Sequence, residues 1–161
     1  MIIKHSTLDD LDIILDIYQY ARQFMKETGN PNQWKDDRPT KDNIIKDINK
    51  KIHYLVIDNG VIIGVFSLLE ETEKTYNYIE GNWLNDEKYV TIHKIASNGK
   101  SHHLFKEVLD FASKFSSNIR IDTHEDNKVM QHILDKYGFT YCGIIYLENK
   151  DKRLAYQKVL H

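Results

Sequence analysis

The run IRIDTHEDNKVMQHILDKYGF, residues 119–139, changes its period partway along. Ile119, Ile121 and Thr123 alternate with Arg120, Asp122 and His124, which predicts a strand with two different faces. Beyond Asn127, the residues Val129, Met130, Ile133, Leu134 and Tyr137 return at three- and four-residue spacing and predict one apolar face of a helix, closed by Gly138. This is a strand handing over directly to a helix.

A second handover precedes it. YVTIHKIA, residues 89–96, reads as a strand, SNGKSHH as a polar break, and Leu104, Val108, Phe111, Ala112 and Phe115 as a helical stripe. Further out, MIIKH predicts a short opening strand. Thr7 is placed to cap a helix carrying Leu8, Leu11, Leu15, Tyr18 and Met25, which Gly29, Asn30 and Pro31 stop. Thr40 is placed to cap a shorter helix with Ile44, Ile45 and Ile48 on one side. IHYLVID and VIIGVFSLL flank Asn59 and Gly60, residues suited to the positive φ values of a two-residue hairpin turn. Residues 70–87 are polar and aromatic without a period and predict a long loop, with a short strand around Tyr76 to Ile79. FTYCGIIYL and KRLAYQKVL, joined by ENKD, predict a closing hairpin. The predicted order is β-α-α-β-β-β-α-β-α-β-β, an α/β (α+β) chain whose mixed sheet is covered by helices.

The 161 residues suit a single domain, 1–161, large enough to fold on its own core. With 22 basic and 24 acidic residues the net charge is −2, which lacks the basic excess expected of a nucleic-acid partner. Cys142 is the single cysteine and lies in an apolar run, as suits a reducing compartment. No apolar run reaches the length of a membrane span, and the N-terminus turns acidic early, so the expected setting is cytoplasmic, with no membrane partner. The eight histidines show neither HExxH nor CxxC-type spacing, so no metal is expected.

The order of elements, together with VTIHKIASNGK, IRIDTHEDNKVMQHILDKYGF and YCGIIYLENKDKRLAYQK, resembles the GNAT superfamily of acyl-CoA-dependent N-acetyltransferases along essentially the whole chain. Asn127, followed eleven and twelve residues later by Gly138 and Phe139, carries the sharpest part of the likeness. The resemblance implies a mostly antiparallel sheet in which two parallel strands, YVTIHKIA and IRIDTH, splay apart around acetyl-CoA as cosubstrate. Cofactor contacts are then expected from Ile95, Ala96 and Ser97 on the first strand, from Lys100, His102, His103, Leu104 and Phe105 in the phosphate cradle and helix start, and from Asn127 and Met130. It further implies direct attack by a free amine on the thioester.

The likeness has departures. With the cradle aligned on Lys100, His103 and Phe105 stand where the family carries small residues, and their bulk is expected to crowd the backbone approach to phosphate. Leu134 stands seven residues after Asn127, where many members carry an acid tyrosine, leaving Tyr137, about 60° round the helix, as the candidate acid. His93 on the splayed strand is the candidate base, because histidine titrates near neutrality. As an alternation, Thr91, His93 and Ile95 share one face, and Asp122 and His124 share a face on which they could pair. Trp34, Tyr78, Trp83 and His124 are the candidate acceptor contacts, with loop aromatics beside carboxylates suiting a cationic amine. Two functions compete: an N-acetyltransferase acting on a primary amine of a small molecule or peptide, and a non-catalytic module of the same fold that has lost CoA. A homodimer is compatible with either.

Overall fold

In the computed structural model, which describes Met1–Leu160, eight strands form one sheet in the order β1-β2-β3-β5-β6-β8-β7-β4. The strands are β1 (Ile2–His5), β2 (His53–Asp58), β3 (Val61–Leu69), β4 (Glu80–Gly81), β5 (Val90–Ser97), β6 (Asn118–Thr123), β7 (Thr140–Tyr146) and β8 (Lys152–Val159). The helices are α1 (Leu11–Glu27), α2 (Lys41–Asn49), α3 (Leu104–Ala112) and α4 (Lys128–Lys136). Every neighbouring pair of strands is antiparallel except β5 with β6. No described helix is long and apolar enough to cross a membrane.

Local chemistry sets the boundaries. Asn59 (φ 50°) and Gly60 (φ 77°) both take positive φ in the β2–β3 turn, which twists with the strands it joins. Thr40 Oγ1 accepts the Asn43 N–H at 3.1 Å at the start of α2. At the other end of α4, Gly138 is left-handed (φ 80°) and the Phe139 N–H returns 2.9 Å to the Leu134 carbonyl, burying Phe139 against the helix it follows.

The sheet is covered on both faces. α1 and α2 bury Ile14, Ile17, Tyr18, Ile44 and Ile48 against Leu55, Val65 and Ala96, while α3 and α4 cover Phe66, Ile92, Ile119 and Ile121. Three expectations need correction. The α1 stripe is rotated toward Ile14 and Ile17, leaving Leu8 exposed in a 3-10 turn ahead of the helix. Phe115 falls outside α3 and is exposed. The expected strand near Tyr76 is a 3-10 turn that buries Tyr76, and the short strand instead forms at Glu80–Gly81. A side chain on Gly81 or Gly143 would meet the backbone of the opposite strand, so this pair of glycines permits β4 to lie against β7.

Buried polar residues tie the sheet to α1. Tyr18 Oη donates to the Lys94 carbonyl at 2.7 Å, so its oxygen accepts from His53 Nε2 at 2.9 Å, and His53 Nδ1 accepts from Ser6 Oγ at 2.7 Å. The neutral imidazole satisfies that chain, and burial pushes the pKa of His53 down from 6.5 to about 4, with Lys94 acting in the same direction and Asp47 against it. An unfolded chain would take up this proton below pH 6.5 and the folded one only near 4. The stabilisation is therefore full above the unfolded value and is lost as pH falls toward the folded one, by about 3 kcal/mol at roughly 1.4 kcal/mol per unit. Urea unfolding should show that decline, and His53→Gln, which cannot titrate, should flatten it. Tyr18→Phe leaves two buried groups unpaired and should cost about 1–3 kcal/mol in the same assay.

Candidate active site

β5 and β6 are joined at two positions, Val90 with Ile119 and Thr91 with Arg120, and then part. β5 also departs from simple alternation. Lys94 is left-handed (φ 54°), and the register against β3 steps from Ser67–His93 to Val65–Ala96, so Lys94 and Ile95 oppose the single residue Phe66. The bulge resets which face each side chain takes. Lys94 Nζ reaches Asp47 of α2 at 2.6 Å, Ile95 packs toward the α3–α4 side, and Ala96 toward α1. His93 and Ile95 therefore do not share a face, contrary to the alternation read from sequence.

A cavity of about 500 Å³ opens where the strands part. Its floor is Ile95, Ala96 and Ser97, and α1 (Tyr20, Ala21, Phe24, Met25) and α4 form opposite walls. His102, Leu104, Phe105, Asn127 and Met130 also line it, whereas Lys100 and His103 do not and are exposed. The α1 wall and the α4 residues Ile133 and Lys136 were not anticipated. For Ile133 the signal was an apolar α4 position beyond what the core buries, since Leu134 is the one fully buried residue of α4.

The cradle is built from side-chain caps on a tight loop. Asn98 Oδ1 accepts the Lys100 N–H, Ser97 Oγ the Gly99 N–H and Ser101 Oγ the His103 N–H, each near 3.0 Å. Gly99 takes a left-handed φ of 81°, which favours glycine, and a side chain there would require the half-exposed Tyr20 ring to turn aside. His103 precedes α3 without capping it, and among the described residues no acceptor is bonded to the N–H groups of Leu104, Phe105 and Lys106. These are the free donors of a helix start. Phe105 lines the cavity and also packs into the core. Its ring is 7% exposed and turns inward, 5.4 Å from Tyr137 and 6.0 Å from Phe139 between ring centres.

On α4, Asn127 caps the helix: its Oδ1 accepts the Met130 N–H at 2.9 Å, and its Nδ2 donates to Gln33 Oε1 at 2.9 Å. Leu134 is wholly buried, so the position of the missing tyrosine belongs to the core. Tyr137 lines the cavity, and its hydroxyl is bonded to none of the described residues.

His93 and its neighbours lie across the sheet from the α3–α4 core. His93 Nε2 is 3.7 Å from Asp122 Oδ2 and its Nδ1 is 3.9 Å from Glu73 Oε2. Tyr76 Oη donates to the same Asp122 oxygen at 2.6 Å. Burial would raise the Asp122 pKa, but His93 and Tyr76, with Arg153 beyond, hold it below the usual carboxylate value. The imidazole thus lies between two carboxylates, one of them anchored. The pair that Asp122 and His124 could make does not form: His124 Nδ1 accepts the Asp126 N–H at 3.0 Å and closes the turn before α4. Trp34 packs edge-on to Tyr18 at 5.7 Å, and Trp83 donates to the Tyr76 carbonyl and stacks on Arg120 at 4.1 Å. Tyr78, at 65% exposed, stays free at the surface beside Tyr146. Among the described residues, no three His, Cys, Asp or Glu side chains gather as metal ligands.

A splayed parallel pair in an otherwise antiparallel sheet, with a helix N-terminus at the mouth of the gap, is the arrangement that the sequence resemblance implies. No protein-family model matches the sequence, and no curated protein does. Among solved structures, the chain is 32% identical to a GNAT-family acetyltransferase from Streptococcus agalactiae, with 99% of this chain and 95% of that one covered and a TM-score of 0.89. A GNAT-family acetyltransferase from Listeria monocytogenes is similar in fold at 22% identity, TM-score 0.71, covering 99% of this chain and 94% of that one. So is a Salmonella typhimurium protein solved with acetyl-CoA as its cofactor, at 15% identity and TM-score 0.63, covering 99% and 94%. The chain belongs to the GNAT family of acetyltransferases.

Because Phe105 packs inward, trimming it should damage the fold without widening the cradle. Phe105→Ala should lower stability by about 3–5 kcal/mol in urea unfolding, with no gain in acetyl-CoA affinity by calorimetry.

Proposed function

We propose that this protein transfers an acetyl group from acetyl-CoA to a primary amine of a small molecule or peptide, by direct attack within a ternary complex. The observation that carries the reading is the cavity itself: an apolar cleft between parted strands that ends at three unpaired helix N–H groups. Those residues fit acetyl-CoA. Free N–H groups suit a diphosphate, His102 and Lys136 add polar edges, and Met130, Ile133 and Phe24 give an apolar wall to a pantetheine arm. When bound, acetyl-CoA supplies an activated thioester carbonyl.

The chain's own groups do the rest. Beyond Thr91 the β5 backbone has no ladder partner toward β6, which leaves donors and acceptors facing the gap. His93 takes the proton of the attacking amine, and Asp122, held by Tyr76, with Glu73 opposite, orients the ring and stabilises the imidazolium that forms. The same carboxylates favour an acceptor that arrives as a cation and must lose a proton before it attacks. Tyr137, with its hydroxyl unengaged, gives a proton to the departing thiolate.

Calorimetric titration with acetyl-CoA tests the binding half, and saturable binding is expected. No binding at millimolar acetyl-CoA would overturn the proposal in favour of a non-catalytic module. Once an acceptor amine is found, His93→Gln should lower kcat by about a hundredfold or more. Tyr137→Phe should cost less than about tenfold, because a thiolate leaves readily without full protonation.

A further inference from the structure

The segment between α1 and α2 holds a residue that the resemblance does not single out. Four donors surround Gln33 Oε1: Asn127 Nδ2 at 2.9 Å and Asn30 Nδ2 at 3.0 Å are the near pair, with the His124 N–H at 3.3 Å and Thr123 Oγ1 at 3.4 Å behind them. The His124 N–H can only donate, and Asn127 presents its NH₂ because its oxygen is used by Met130, so the Gln33 atom facing them is the oxygen. The backbone of the same residue is also engaged, since its carbonyl accepts from Nη2 of the buried Arg153 on β8 at 3.0 Å. Asn30 turns its own NH₂ toward Gln33 even though this leaves Asn30 Oδ1 buried with no partner.

These bonds cross the gap. Gln33 belongs to the segment that follows α1, one wall of the cleft, whereas Thr123, His124 and Asn127 belong to the end of β6 and the start of α4, the other wall. β5 and β6 share no ladder bonds at this level, so the width of the cleft is not fixed by the sheet. We propose that Gln33 is a positioning residue for acyl transfer: its side-chain oxygen latches the α1 wall to the α4 wall and fixes Asn127 at the head of the cleft. The latch acts through Asn127 and the α4 N-terminus rather than by touching a reacting atom. The role in transfer rests on the function proposed above, but the latch exists in the free protein and can be tested there.

Gln33→Leu removes the acceptor at nearly constant size, and Gln33→Glu restores one. In the unliganded protein, amide hydrogen exchange at His124 and Met130 should quicken about tenfold or more in Gln33→Leu while β2 and β3 keep their protection, and Gln33→Glu should return it to near wild type. In the liganded protein, Gln33→Leu should weaken acetyl-CoA binding by about tenfold and raise KM for acetyl-CoA more than it lowers kcat, again with recovery in Gln33→Glu. Unchanged exchange in a folded Gln33→Leu chain would overturn the latch. Altered exchange with wild-type acetyl-CoA affinity would overturn the positioning role. Failure of the wild-type protein itself to bind acetyl-CoA, with exchange responding as expected, would instead sink the proposed function and with it the role in transfer, leaving the latch as a feature of the fold.

Discussion

β5 and β6 run parallel, pair over two residues and then separate, and most of what is distinctive in this chain follows from how that separation is held open. A sheet tends to close, because unpaired backbone groups gain by finding partners. Here the bulge at Lys94 turns β5 away, and the bulge is itself held from behind. The Tyr18 hydroxyl fixes the Lys94 carbonyl and Asp47 holds its ammonium, while Ser6 and His53 complete the hydrogen bonding of Tyr18. A left-handed lysine is an uncommon conformation, and anchoring it at both backbone and side chain makes it a defined turn of the strand.

The bulge also separates two chemistries. It places His93 on the side of Asp122 and Glu73 and turns Ile95 to the opposite face, where it forms part of the cleft floor. A strand in strict alternation would have put His93 and Ile95 side by side. The proposed reaction needs them apart: an imidazole that meets an amine in a polar setting, and a dry wall along which a long flexible cosubstrate can lie.

The sequence made the scaffold legible where a residue type has one local use. Asn59-Gly60, Thr40 and Gly138 each specify a turn or a cap, and the structure uses each in that way. It was silent on Lys94, because nothing local marks a lysine for positive φ; tertiary anchors impose it. β4 was equally hidden, since it depends on Gly81 and Gly143 meeting across sixty-odd residues of chain. Phe105 is a different case. Its spacing to Val108, Leu109 and Ala112 is that of a buried helix face, and the ring both packs into the core and lines the cleft beside the loop. Glu73 and Gln33 lie in aperiodic polar segments, where only the folded chain shows what they approach.

Gln33 and Tyr18 answer the same physical problem from opposite ends. A cleft between strands must stay open to admit a ligand, yet its walls must keep a fixed distance if the ligand is to be held in a reactive position. Apolar packing alone fixes such a distance poorly, because two greasy walls prefer to meet. Directional bonds from buried or half-buried polar groups resolve this: Tyr18 ties α1 to β5 on one side, and Gln33 ties the segment after α1 to β6 and α4 on the other. α1 is thereby fastened to both parted strands without either strand touching the other beyond Thr91 and Arg120. The helix functions as a spacer, and the parted strands keep their gap because polar bonds set it.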